Sequence, residues 1–188
     1  MLTDLWDRFL KAFQSELNMC KQTRFEDAWK SKTDRTYFYI TDILPAVSKG
    51  LGLTPVFELF KVDAALAIVG PKGTKVPQIW VESENDAFNS SHEIRKLCSL
   101  CAPLKVLITC SEWDESPGVW THGGSRTKLL NEWKAIITDH ASVWSQPTLI
   151  GVIVGEWTNQ KRIRFYSLTF TQNGDVMNEH VFFEKVFL

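Results

Sequence analysis

Apolar residues near the start of the chain recur at steps of three and four. Leu2, Leu5, Trp6, Phe9, Leu10, Phe13 and Leu17 predict an amphipathic helix over residues 2–19. The polar stretch Lys21 to Arg35 breaks the pattern. A second helix is predicted over Tyr37 to Ser48, ending near Gly50 and Gly52, with Pro45 kinking or splitting it. From Thr54 the period falls to two. Val56 to Val69 reads as one long or bent strand, Gly70-Pro71-Lys72-Gly73 as a turn, and Val76 to Glu84 as the next strand. Ser90 or Ser91 caps a helix to about Ala102, with Pro103 just beyond. Lys105 to Cys110 is a short apolar run typical of a central strand. A loop rich in Gly, Ser and Trp follows from Ser111 to Gly124, and Ser125 caps a helix to about His140. Three strands close the chain: Thr148 to Trp157, Arg162 to Thr171 and Glu179 to Val186, with Asn173-Gly174 suited to the last hairpin.

This order predicts an α/β fold in which a mixed β-sheet is flanked by helices. The unit from 76 to 110 should be a right-handed crossover between parallel strands. A length of 188 residues predicts one domain over residues 1–188. With 21 basic against 22 acidic residues the formal net charge is -1, which excludes a histone-like packing protein and disfavours non-specific DNA binding by the whole surface. Asp4, Asp7, Arg8 and Lys11 interrupt the apolar start, so neither a signal peptide nor a membrane span is expected. A cytoplasmic protein follows, with Cys20, Cys98, Cys101 and Cys110 as thiols.

The turn at Gly70 to Gly73 permits a register expectation. With Val69 opposite Val76, Leu66 meets Ile79 and Ala64 meets Val81, all apolar and on one face. On the other face Ala65 meets Trp80, Asp63 meets Glu82, and Glu84 leaves on the same side as Glu82. Opposed side chains have Cβ atoms about 5 Å apart, where like charges destabilise. Three carboxylates in one patch therefore need an explanation, and separate solvation of each acid at a frayed strand end is one. A divalent cation with a preference for hard oxygen ligands, Mg²⁺ or Mn²⁺, supplies another. Lys96 lies on the border of the next helix's apolar face (Ile94, Leu97, Cys98, Cys101). It can bend toward the strand end or pair with Glu93 one turn away.

The blocks V-D-A-A-L-A-I-V, I-W-V-E-S-E-N, E-I-R-K-L and L-K-V-L-I-T resemble the core of the PD-(D/E)XK nuclease superfamily, over Val56 to Cys110. The resemblance implies a restriction-endonuclease-like sheet. Asp63 would be the motif aspartate and Glu82 the acid of the second motif. The motif lysine is replaced by Glu84, and Lys96 is placed for the migration to the following helix that some members show. Glu16 is the best match to an acid that some members carry on the first helix. The implied activity is metal-dependent hydrolysis of phosphodiester bonds in nucleic acid, DNA foremost. Asp63 and Glu82 would hold Mg²⁺ or Mn²⁺, Glu84 would be a further ligand or would orient a water, and Lys96 would stabilise charge on the phosphate. The alternative is a nuclease-like domain without hydrolysis that binds nucleic acid or protein, with Trp113 to Trp120 as an exposed partner surface. A homodimer stays open. A third reading is an unrelated α/β domain whose acids are incidental.

Other motifs carry less. Cys98-x-x-Cys101 has no second pair and reads as two thiols on a helix. His92, His122, His140 and His180 are scattered, and no phosphate-binding glycine motif occurs. Basic residues cluster locally at Lys30, Lys32 and Arg35, at Arg126 and Lys128, and at Lys161, Arg162 and Arg164. A nuclease would need such groups beside its active site.

Overall fold

The computed structural model describes residues 2–158 and 162–187. Helix α1 (Leu2–Met19) leads into short α2 (Gln22–Ala28) and α3 (Lys32–Tyr37), a π-helical turn (Phe38–Ile43) and α4 (Leu44–Gly50). Strands β1 (Thr54–Leu59), β2 (Val62–Val69) and β3 (Lys75–Glu84) follow, then a 3₁₀ turn (Ala87–Asn89), α5 (Ser90–Cys98), β4 (Leu104–Cys110), α6 (Arg126–Val143), β5 (Leu149–Thr158), β6 (Arg162–Phe170) and β7 (Val176–Val186).

The strands form one sheet in chain order. β1, β2 and β3 are antiparallel, β3, β4 and β5 parallel, and β5, β6 and β7 antiparallel. Parallel neighbours need long crossovers, and α5 and α6 supply them. Both pack on one face, where Ile94, Leu97, Leu129, Trp133 and Ile137 meet Trp80, Leu107, Val152 and Leu168. α1 to α4 cover the other face with Trp6, Phe9, Phe13, Phe25, Phe38 and Leu44 against Leu66, Val81, Val106, Ile153 and Phe165. Coverage on both sides explains why β4 is buried along nearly its whole length. The α/β class and the helix-flanked mixed sheet agree with the sequence. Among the described residues, no helix is long and apolar enough to cross a membrane.

Several local expectations are corrected. Residues 21–35 are not irregular: they hold α2 and α3, and the Ser31 hydroxyl caps α3 by accepting the Asp34 N–H (3.0 Å). The helix expected over Tyr37 to Ser48 widens into the π turn just before Pro45, which lacks the N–H that would bond back to Thr41. Val56 to Val69 is two strands. A two-residue turn at Phe60 and Lys61, both at positive φ (53° and 61°), pairs Leu59 with Val62. The pairs Leu66–Ile79, Ala65–Trp80 and Ala64–Val81 are as expected, but a bulge then shifts the register, so Val69 faces Lys75 rather than Val76. α5 ends at Cys98, short of Ala102.

Candidate functional site

The paired register of β2 and β3 ends at Ala64–Val81. Beyond it the Asp63 side chain replaces the ladder, its Oδ2 accepting the Ser83 N–H at 2.7 Å. The Asp63 N–H points at Glu82 Oε2 from 3.5 Å, so the two acids adjoin at the strand end. Burial raises the Asp63 carboxyl above the usual carboxylate range, the Ser83 bond opposes this, and Glu93 adds to it.

Glu82 is 1% exposed and faces α5. Lys96 Nζ lies 2.7 Å from Glu82 Oε1 and 2.5 Å from Glu93 Oε2, and donates to the Lys61 carbonyl at 3.1 Å. Both sequence alternatives for Lys96 are thus realised together. Its aliphatic stem runs along α5 while its ammonium joins the strand end and the β1–β2 turn. Burial is the main cause that pushes Glu82 up to about 8; the Lys96 bond works against the rise, and Glu93 and Asp63 work with it. For Lys96, burial acts downward, and the bonds to Glu82 and Glu93 outweigh it and raise the ammonium.

Glu84 stands apart from this group: its Oε1 accepts the Asp86 N–H at 2.7 Å and shapes the turn after β3. Glu16 lies in a shallow groove between α1 and α4, lined also by Arg8 and Gly50. Glu58 is an acid the sequence reading missed. It shares with Asp63 a cavity of about 430 Å³ whose other lining includes Thr33, Thr36 and Tyr37 of α3. The Phe60-Lys61 turn folds Glu58 back toward Asp63, and that turn carries no glycine or asparagine to announce it.

Among the described residues, no group of three or more His, Cys, Asp or Glu is arranged to hold a metal ion. The pair Asp63 and Glu82 does match the demands of Mg²⁺, which takes one or two carboxylates and completes its shell with water and phosphate oxygens. A desolvated carboxyl beside a second acid is also a place where a cation would relieve repulsion.

In the segment from Trp113 to Trp120, residues Glu115 to Gly118 are exposed, but the tryptophans at its ends do not form an exposed surface: Trp120 is half-buried. Trp113 is fully buried and stacks on Trp133 with ring centroids 5.9 Å apart. The cause is Glu156, a buried carboxylate in β5 that the sequence reading passed over. Its Oε1 accepts from the Trp113 N–H (2.7 Å), the Asp114 N–H (2.8 Å) and Trp120 Nε1 (2.8 Å), and its Oε2 accepts from the Tyr166 hydroxyl (2.8 Å). An acid inside the apolar run L-I-G-V-I-V-G-E-W was the available signal, since a buried charge must find donors. Cys98 is buried and Cys101 exposed, both free thiols.

The basic clusters are largely spent on internal pairs. Lys30 pairs with Asp27, Lys32 with Asp86, Arg126 with Glu179, Arg162 with Glu184, and Arg164 with Asp114 and Glu184. Lys128 lies over the Phe88 ring at 4.6 Å. Lys161 falls outside the described residues. Arg35 has no acid partner within salt-bridge distance among the described residues; its guanidinium lies 5.9 Å from the Trp29 ring centroid.

No protein-family model matches the chain, and no curated protein matches it either.

Proposed function

We propose that the chain is a metal-dependent hydrolase of phosphodiester bonds in nucleic acid, with DNA the first substrate to test. The observation that carries this reading is the Glu82–Lys96 pair at 2.7 Å, a lysine delivered by the crossover helix to a buried acid beside Asp63. The PD-(D/E)XK-like blocks on the same strands support it, and the helix, antiparallel meander, crossover helix and parallel strand occur in the order that superfamily uses.

Asp63 and Glu82 would hold Mg²⁺ or Mn²⁺, which when bound polarises a phosphoryl oxygen and acidifies a water. Lys96 keeps its charge at neutral pH and can turn from Glu93 toward a phosphate oxygen. Glu58 and Asp63 border an open cavity through which water and substrate would reach Asp63. Glu84, engaged with Asp86, holds the turn that carries the end of β3.

A second reading is a nuclease-like module that binds without cleaving. Glu84's engagement elsewhere and the missing three-residue metal cluster among the described residues favour it. Labelled single- and double-stranded DNA and RNA are incubated with the protein in Mg²⁺, Mn²⁺ or EDTA. Metal-dependent cleavage that falls about 100-fold or more in Asp63→Asn, Glu82→Gln and Lys96→Met supports the hydrolase. Calorimetric Mn²⁺ binding without cleavage supports the module, and cleavage indifferent to all three substitutions refutes the site.

A further inference from the structure

A separate cavity of about 250 Å³ opens at the carboxyl ends of β3, β4 and β5. Carboxyl ends of parallel strands are where α/β sheets present ligand sites, because the loops there diverge. Three half-buried indoles, Trp29, Trp120 and Trp157, line it together with Arg35, Asn85 and Glu112.

The indoles are fixed before any ligand arrives. Trp157 stacks on Phe187 at 4.9 Å, Trp29 lies 5.9 Å from Trp157, and Trp120 is held through its Nε1 by Glu156. Two lining residues carry buried polar atoms with no hydrogen-bond partner among the described residues: Asn85 Oδ1 and Arg35 Nε. Asn85 is 8% exposed, and its amide nitrogen is tied to the Lys32 carbonyl (3.0 Å) and the Thr36 hydroxyl (2.7 Å). Rigid aromatic faces, an Arg without an acid partner and an amide carbonyl without a donor are the groups that recognise a flat, polar-edged heterocycle. The exposed Glu112 on the same wall repels a phosphate and tolerates the amino edge of a base. The volume suits one ring system rather than a whole nucleotide chain.

We propose that this cavity is a nucleobase pocket that takes one unpaired base of single-stranded nucleic acid. Its position relates it to the candidate active site. Asn85 follows Glu82 by three residues, about 10 Å of extended chain. α3 contributes Thr33 and Thr36 to the Asp63 cavity and Arg35 to this one. A strand with one base held here would present a neighbouring phosphate toward Asp63 and Glu82. A duplex, whose bases are stacked and paired, cannot fill the pocket without local opening. The choice of a nucleic acid as the polymer rests on the hydrolase reading; the recognition of a planar ring does not.

The test is tryptophan fluorescence of the full chain in EDTA, titrated with a 12-residue single-stranded DNA, the same sequence as a duplex, and an abasic chain of equal length. Quenching by the single strand, with binding about tenfold weaker or worse for the duplex, the abasic chain and Arg35→Gln, is the expected result. Lys72→Gln, a change in the exposed β2–β3 turn, should bind as wild type. Equal binding of abasic and normal strands overturns the proposal and needs no variant to fold. No binding at all overturns it too. Cleavage in Mg²⁺ that needs Asp63 but is indifferent to Arg35 removes the pocket and leaves the hydrolase. Base-dependent binding without cleavage removes the hydrolase and leaves the pocket.

Discussion

Lys96→Met isolates the electrostatics at the end of β3. The substitution keeps the aliphatic stem along α5 and removes the only cation bonded to the buried Glu82 among the described residues. In the wild type the Glu82 carboxyl is raised from 4.5 to about 8. Its contribution to stability is therefore fully present below about pH 4.5 and is lost as pH rises toward 8. Above about 8 the wild-type loss stops, because Glu82 then ionises against Lys96. Without Lys96 the carboxyl must hold its proton to still higher pH, and the variant keeps losing stability. At pH 5.5 Glu82 is neutral in both proteins, so the variant loses only the ammonium's hydrogen bonds, about 1 kcal/mol. Each pH unit above 8 then adds about 1.4 kcal/mol to the gap, giving about 3 kcal/mol at pH 9.5. That stays within the 3–5 kcal/mol expected when a buried pair loses one partner. For a chain of this length the larger gap corresponds to a fall of about 6–12 °C in Tm. Urea unfolding followed by tryptophan fluorescence, in EDTA at pH 5.5, 7.5 and 9.5, reads the gap directly. A gap that is constant, or that narrows as pH rises, refutes the assignment of Glu82 as a desolvated acid held by Lys96.

Other consequences are independent of that pair. Glu156→Ala leaves four donors, two of them buried, without their acceptor and should cost about 3 kcal/mol while raising amide exchange across residues 111–124; unchanged exchange there would remove Glu156 as the loop's anchor. Gly151→Ala places a methyl within 2.6 Å of Trp6 Cε3, so α1 must shift, at about 1–3 kcal/mol in urea melts; a neutral effect would show that the α1 seat is loose. With a thiol reagent on the native protein, the exposed Cys101 should react first and the buried Cys98, whose thiol is pushed up by burial, should react only on unfolding; equal rates would contradict the packing of α5.

The parts of the fold legible in the sequence are those where one physical rule dominates. α1 declares itself because its apolar stripe is unbroken for five turns, and β4 because Val106, Leu107 and Ile108 form a continuous apolar run bounded by Pro103 and the Gly- and Ser-rich loop. The match of Ala64, Ala65 and Leu66 to Val81, Trp80 and Ile79 was recoverable because a one-residue slip would turn the apolar set outward. The bulge falls between Leu66 and Ala67, both buried, and the pairs beyond it, Ile68–Val76 and Val69–Lys75, are exposed, so no change of burial there fixes the register. The Phe60-Lys61 turn was hidden because neither residue is a glycine, asparagine or aspartate, and Phe60 is a strand former, yet both take a left-handed conformation. α2 and α3 were missed for their brevity, though Ser31-x-x-Asp34 is a capping signal. At the candidate site the reach of Lys96 and the nearness of Asp63 to Glu82 were anticipated, but not its form: the ladder ends at Ala64–Val81, and Asp63 meets Glu82 through its backbone N–H rather than as an opposed pair. Glu84 was not anticipated as a turn acceptor, because alternation fixes a side chain's face and not its partner.

The tip of the β1–β2 hairpin has one more implication. Phe60 and Lys61 are both left-handed without being glycine, a conformation that costs about 1–2 kcal/mol per residue. What this geometry secures is specific: the Phe60 ring stands edge-on to Trp80, and the Lys61 carbonyl receives Lys96. Lys61→Gly should therefore make the chain more robust to heat while loosening the backbone oxygen that steers the ammonium. A search for hardier variants would select that change early, and in doing so would exchange the alignment of the Lys96 ammonium for endurance.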